Sequence, residues 1–166
     1  RILRSSLEID CHLLGKQARK GMGSGGDIET TKKIGHEEIN KFKEFVRGAD
    51  LVFFIAGLGK GTGSAITPIF SKVAKDLGIC TVDIVTLPSI QAEGNDVYEK
   101  SLTSYQEIVE SCDSFYTISN DKLINAYIND EQMTYEALLL KANMQVINLI
   151  KVICDILSNP MYTTIA

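Results

Sequence analysis

Two kinds of hydrophobic pattern alternate along the chain. The runs LVFFIA (Leu51 to Ala56) and ICTVDIVT (Ile79 to Thr86) are almost continuously apolar, rich in β-branched and aromatic residues, and bounded by Gly or Pro. They predict strands buried on both faces. SFYTIS (Ser114 to Ser119) predicts a third strand and IDCHLL (Ile9 to Leu14) a fourth. Between the runs, apolar residues recur at helical spacing. Ile34, Ile39, Phe42, Phe45 and Val46 share one face of a predicted helix that stops at Gly48. Ile66, Ile69, Phe70, Val73 and Leu77 share a face of a second, with Ser64 as its N-cap, Pro68 in its first turn and Gly78 as its stop. Val97, Leu102, Tyr105, Ile108 and Val109 mark a third, with Asn95 as its cap.

This alternation predicts an α/β fold, Rossmann-like, with a mostly parallel sheet flanked by helices. Ligands of such sheets bind at the carboxyl ends of the strands. Gly57 to Ser64, Pro88 to Asn95 and Ser119 to Lys122 all emerge there, so three loops are expected on one rim.

The last segment differs in kind. From Tyr135 to Ser158 the polar residues shrink to a stripe of Gln145, Asn148, Lys151, Asp155 and Ser158, and Met144, Val146, Ile147, Leu149, Ile150, Val152, Ile153, Ile156 and Leu157 cover the rest. A helix apolar over so much of its circumference expects cover on several sides. A second layer, domain or subunit is therefore predicted to meet it. The organisation expected is residues 1–134 in one α/β unit, 135–158 in a long core helix, and 159–166 in a following loop.

Composition narrows the classes. A chain of 166 residues fits one domain, and a formal charge of -4 with scattered Lys and Arg lacks the basic stripe of a nucleic-acid binder. Cys11, Cys80, Cys112 and Cys154 form no CxxC pair, and Cys80 and Cys154 lie in apolar runs where a thiol serves as a small hydrophobe. No uninterrupted apolar stretch approaches the ~20 residues that span a bilayer, and no signal-peptide core is present at the start. A cytoplasmic protein without a transmembrane segment is expected. His12 and His36 are single and far apart, and Asp83 inside an apolar strand reads as a hydrogen-bonded structural carboxylate.

The strongest chemical signal is GLGKGTGS, Gly57 to Ser64. It fails the P-loop pattern, because Gly59-Lys60 is followed by Gly61, and it fails GxGxxG, because the third position is Thr62. A formal GxGxxG at Gly21, Gly23 and Gly26 follows a polar, basic segment and lacks a preceding strand. The logic of Gly57 to Ser64 survives both failures. Alternating glycines let a backbone approach a ligand closely, and their N–H groups with those opening the next helix form an anion-binding nest, aided by the hydroxyls of Thr62 and Ser64.

GADLVFFIAGLGKGTGSAITPIFSKVAKDLGICTVDIVTLPS, with KGMGSGGD, Glu93-Gly94 and Asn120 to Leu123 in the same order and spacing, resembles the FtsZ family of bacterial tubulin-like GTPases. The resemblance spans roughly residues 14 to 160. It implies a tubulin/FtsZ-type GTPase domain ending in a long central helix, GTP or GDP as ligand, and Mg²⁺ on the phosphates. It also implies head-to-tail filaments, membrane-anchoring and other proteins at the division site as partners, and GTP hydrolysis completed between subunits. By the same resemblance Gly57, Gly59, Lys60, Gly61, Thr62, Gly63 and Ser64 lie at the phosphates. Gly23, Ser24, Gly25 and Gly26 would meet the γ-phosphate, Glu93 the ribose, Asn120 the nucleoside, Leu139 the face of the base and Asn143 its edge.

Departures from the family pattern carry expectations of their own. Lys60 and Ala65 replace glycines, and Lys60 is expected to face solvent, so that Lys60→Gly leaves GTP binding nearly unchanged. Val97 stands where the resemblance implies an Arg and Leu139 where it implies a stacking Phe; both weaken affinity by losing a charge-assisted bond and an aromatic face. The family's catalytic acids align from Ala166 onward, so no catalytic residue is assigned and the chain alone is expected to hydrolyse little GTP. The alternatives are a non-hydrolysing scaffold and a Rossmann-type dinucleotide enzyme. The latter is opposed by the lack of an acid about twenty residues past a strand-borne GxGxxG.

Overall fold

A computed structural model describes residues 14–15, 24–130 and 132–159. The three apolar runs form the strands expected of them, β1 (Leu51–Gly57), β2 (Cys80–Leu87) and β3 (Ser114–Ser119). All pair in parallel in the order β1-β2-β3, with Phe54 beside Asp83 and Ile84 beside Tyr116. The fourth expected strand lies outside the described residues apart from Leu14, which sits in a turn.

The first helical segment is two helices, α1 (Ile28–Glu37) and α2 (Ile39–Phe45), rather than one ending at Gly48. Glu38 breaks it: at φ -93° and ψ 1° its N–H is shared between the carbonyls of Ile34 and Gly35. The bend lets both pieces reach the core. Gly35 of α1 fits so closely that a Cβ there would lie 2.9 Å from Ile66 Cδ1, while Phe42 of α2 stacks on Phe70 at 4.2 Å and Val46 is buried with Ala74 and Ile79.

The helix after β1, α3 (Gly61–Asp76), starts three residues before the expected cap. Lys60 is its N-cap residue, without a capping side-chain bond, and Ser64 lies inside the helix, fully buried, with its Oγ accepting the Gly59 N–H at 2.8 Å. Pro68 is consequently two turns in rather than in the first turn. At the other end Gly78, at φ +78°, donates to the Lys75 carbonyl and Ile79 to that of Ala74. This is the left-handed glycine stop expected there.

After β2 come a short α4 (Ile90–Glu93) and α5 (Asn95–Ser111), whose N-cap is Gly94 rather than Asn95. Gly94 occupies φ +91° and ψ 159°, a conformation open to glycine. Ser119 caps α6 (Asn120–Ala126) and Thr134 caps α7 (Tyr135–Ser158).

Strand periodicity divides the core. Ile84 of β2 packs on one face with Ile118, Leu123 of α6 and the Leu138, Ala142 and Val146 seam of α7. Its neighbour Val85 points to the opposite face, against Ile108 and Cys112 of the α5 side. On that second face Asp83 is fully buried, with Ser71 Oγ of α3 donating to one carboxylate oxygen at 2.9 Å and no partner for the other. Burial pushes its carboxyl up to about 7, against the Ser71 bond that lowers it.

Two expectations about apolar segments change. Cys80 and Cys154 are exposed and Cys112 is the buried thiol, because Cys80 opens β2 and Cys154 lies on the uncovered side of α7. Burial pushes the Cys112 thiol up to about 11. Moreover, α7 is by length and composition apolar enough to cross a membrane, where no such stretch was expected. The difference arises because isolated polar residues interrupt the run without making the helix polar. Its Leu138, Ala142 and Val146 seam is packed on the sheet, whereas Leu140, Met144, Val152, Ile156 and Leu157 are exposed.

Candidate functional site

The strands end in loops that meet as parallel topology requires. A cleft of about 320 Å³ opens at their carboxyl ends, lined by Gly57, Leu58 and Lys60 after β1, Thr86, Pro88 and Glu93 after β2, and Asn120 after β3. Tyr135 and Leu139 from the first turns of α7 form the remaining wall.

The glycine loop is shaped by protein atoms on its outer side. Gly59 lies at φ +92°, and a Cβ on it would sit 2.6 Å from the Val97 carbonyl oxygen and 2.7 Å from Val97 Cγ1. A Cβ on Gly61 would collide with the Ser24 side chain, and one on Gly63 with the Gly57 carbonyl oxygen. These glycines are therefore needed for packing, whatever they also do for a ligand. Val97, where the resemblance implies an Arg, abuts the loop directly.

The contact at Gly61 brings the two glycine segments together. Ser24 reaches the first residue of α3, and Gly25 and Gly26 follow it, exposed, at φ +62° and +83°. Asp27 then opens α1 by accepting the Thr30 N–H at 3.0 Å. The α1 helix is held to α5 by Lys32 Nζ and Glu107 Oε1 at 2.6 Å, which fixes the segment beside the loop. Gly23 lies outside the described residues.

Glu93 is held from two sides. Its Oε1 accepts the Tyr135 hydroxyl at 3.1 Å and its Oε2 pairs with Lys60 Nζ at 3.0 Å. Lys60 is indeed largely exposed, at 73% for the side chain, but it is ion-paired across the cleft rather than simply solvated. Burial, and then the bond to Glu93, hold the Tyr135 hydroxyl above its ordinary range.

Asn120 supplies the most informative polar group. Its side chain is buried, lies on the cleft wall and touches the Tyr135 hydroxyl, yet Oδ1 has no hydrogen-bond partner. Asp121 beside it accepts the Ile90 N–H at 3.3 Å through one oxygen and leaves the other buried without a partner. A buried acceptor left unmade costs roughly 1–3 kcal/mol, and of these two residues Asn120 lines the cleft, where a ligand that brings an N–H or O–H donor could satisfy it.

Of the residues the sequence singles out, Gly57, Lys60, Glu93, Asn120 and Leu139 line the cleft. Gly59, Gly61, Thr62, Gly63 and Ser64 form its adjoining loop and the first turn of α3, with Thr62 exposed and the Ser64 oxygen already accepting from Gly59. Asn143, one turn beyond Leu139, is exposed and is not among the lining residues. Tyr135 and Thr86 were not anticipated; the only signal in the sequence for Tyr135 was its position at the start of the apolar helix. Among the described residues no group of three His, Cys, Asp or Glu side chains could hold a metal ion.

Comparison with known proteins identifies the family of the fold. Residues 1–127 match the model of the Tubulin/FtsZ family, GTPase domain. The cell division protein FtsZ of Aquifex aeolicus (strain VF5) is 40% identical over 110 residues, 66% of this chain and 30% of its own length. FtsZ of Mycoplasmopsis pulmonis (strain UAB CTIP) is 34% identical over 159 residues, 96% of this chain and 39% of its own. An empty FtsZ dimer of M. jannaschii superposes with a TM-score of 0.71 at 27% identity, covering 80% of this chain and 38% of that one. The chain thus spans between 30% and 39% of the length of these curated relatives.

Proposed function

The chain belongs to the Tubulin/FtsZ family, and from that premise we propose that its cleft binds GTP and GDP as part of a filament-forming cell-division protein. The observation that carries this reading is the buried, unpartnered Oδ1 of Asn120, a residue that lines the same cleft as the glycine loop. In this reading Asn120 accepts from the nucleoside, Glu93 from the ribose hydroxyls and Leu139 packs on the base, while Asn143, outside the cleft lining, is not assigned to the base edge. The backbone N–H groups of Gly61, Thr62 and Gly63 that open α3, at its positive end, face the phosphates with the Thr62 hydroxyl. The segment Ser24 to Gly26 meets the terminal phosphate, a reading the closeness of Ser24 to Gly61 supports.

Mg²⁺ would be held chiefly by the phosphates and water, since the described residues offer no ligand cluster, and when bound it would neutralise phosphate charge. Hydrolysis belongs to head-to-tail contacts between subunits at the division site, in the cytoplasm, with acidic residues of the neighbouring copy orienting the attacking water. Membrane-anchoring and other division proteins complete the list of partners. The dimeric state of the M. jannaschii relative supports self-association.

The test is equilibrium binding of a fluorescent GTP analogue with Mg²⁺, competed by GTP, GDP and NAD. Displacement by both guanine nucleotides and not by NAD is expected. Equal displacement by NAD, or no binding of the analogue, would overturn the reading.

A further inference from the structure

The ion pair across the cleft has a functional reading that rests on nucleotide binding at this site. Lys60 and Glu93 come from different loops, one after β1 and one after β2, and both line the same cleft. Lys60 is the cationic residue among those lining it, and Glu93 is the anionic one. Their pairing at 3.0 Å cancels both charges at the place an anionic ligand would enter.

The two partners are not equally committed. Glu93 is 18% exposed in its side chain and is anchored a second time by Tyr135, whereas Lys60 is 73% exposed and pairs, among the described residues, with Glu93. An exposed pair of this kind contributes little to stability and exchanges partners readily. The backbone of Lys60 is set in extended conformation at the N-terminus of α3, with φ -114° and ψ 172°. Its side chain thereby starts at the mouth of the anion nest formed by the loop and the helix end.

We propose that Lys60 is a charge-transfer latch in the electrostatic sense: paired with Glu93 in the empty cleft, it moves to the phosphates when a nucleoside di- or triphosphate enters and releases Glu93 to the ribose. No covalent step is involved. The lysine then favours phosphorylated ligands twice, by attracting phosphate and by occupying the ribose-binding acid when none is present. It sets specificity for phosphate count rather than for the base.

The experiment measures binding of guanosine, GMP, GDP and GTP to the full chain and to its Lys60→Gln and Lys60→Arg variants, with thermal melts confirming folding. Reversing the expectation from sequence that the lysine is dispensable, because it is paired with Glu93 in the cleft, Lys60→Gln should weaken GTP binding about tenfold, the scale of one charge-assisted hydrogen bond, and should leave guanosine binding unchanged or tighter. Lys60→Arg should keep the wild-type order. Equal fold-changes for guanosine and GTP, or unchanged GTP binding in Lys60→Gln, overturn the latch while leaving nucleotide binding intact. A wild-type chain that binds none of the four ligands overturns both readings.

Discussion

The two glycine segments beside the cleft look alike in sequence and differ in what surrounds them. Gly59, Gly61 and Gly63 are hemmed in by Val97, Ser24 and the Gly57 carbonyl, so that any Cβ would strike protein atoms. Gly25 and Gly26 have positive φ and open space where a Cβ would go. The first segment is glycine because the chain has no room, and at Gly59 also because φ is +92°; the second is glycine only because the backbone turns left-handed.

Substitutions can break this contrast. Gly63→Ala should have the largest effect, a loss of about 4 kcal/mol or more, because backbone on the opposite side of the contact has no rotamer by which to move away. Chemical denaturation gives the measure, and a loss comparable to that of an exposed glycine would show that the loop is looser than its contacts imply.

Asp83 tells whether such damage stays local, since Ser71, two turns along α3 from Gly63, holds it. Its folded carboxyl lies near 7, above the ordinary 3.8. A raised carboxyl favours the protonated folded state, so its stabilising contribution is complete below about pH 4 and is lost as pH rises through 7. The span is about three pKa units, or up to about 4 kcal/mol. Unfolding free energies from pH 4 to pH 8 should show this fall in the wild type and a flatter profile in Asp83→Asn. Retention of the fall in Gly63→Ala would confine the damage to the loop, and its disappearance would mean that all of α3 had shifted.

The smallest effect belongs to the open segment. Gly25→Ala should cost about 1 kcal/mol, the left-handed penalty alone, read by the same denaturation. A loss matching that of Gly63→Ala would remove the distinction between the two segments.

Much of the fold was legible before any coordinates. The apolar runs marked all three described strands, and Gly78 marked the end of α3, because strand burial and left-handed stops depend on a few neighbouring residues. The starts of α3 and α5 were misread. Ser64 and Asn95 have the chemistry of caps, but Ser64 is drawn into the interior by the Gly59 N–H and Gly94 takes the cap position ahead of Asn95. The extent of α7 was legible too, and so was its shortage of cover: one seam is buried and seven large apolar side chains outside it are exposed.

The site divides in the same way. By itself the sequence determined the alternation of strands and helices, the rim on which three loops meet, and the glycine pattern that resembles one family. Those follow from periodicity and backbone chemistry, which act over a few residues. Only the tertiary structure decided that Lys60 faces Glu93, that Tyr135 shares the same carboxylate, that Ser24 fills the space beside Gly61 and that Asn120 keeps an unpartnered oxygen on the cleft. Each is a contact between segments distant in the chain, set by the packing of α3, α5 and α7 around one sheet, and no local pattern encodes the distance at which two loops will meet.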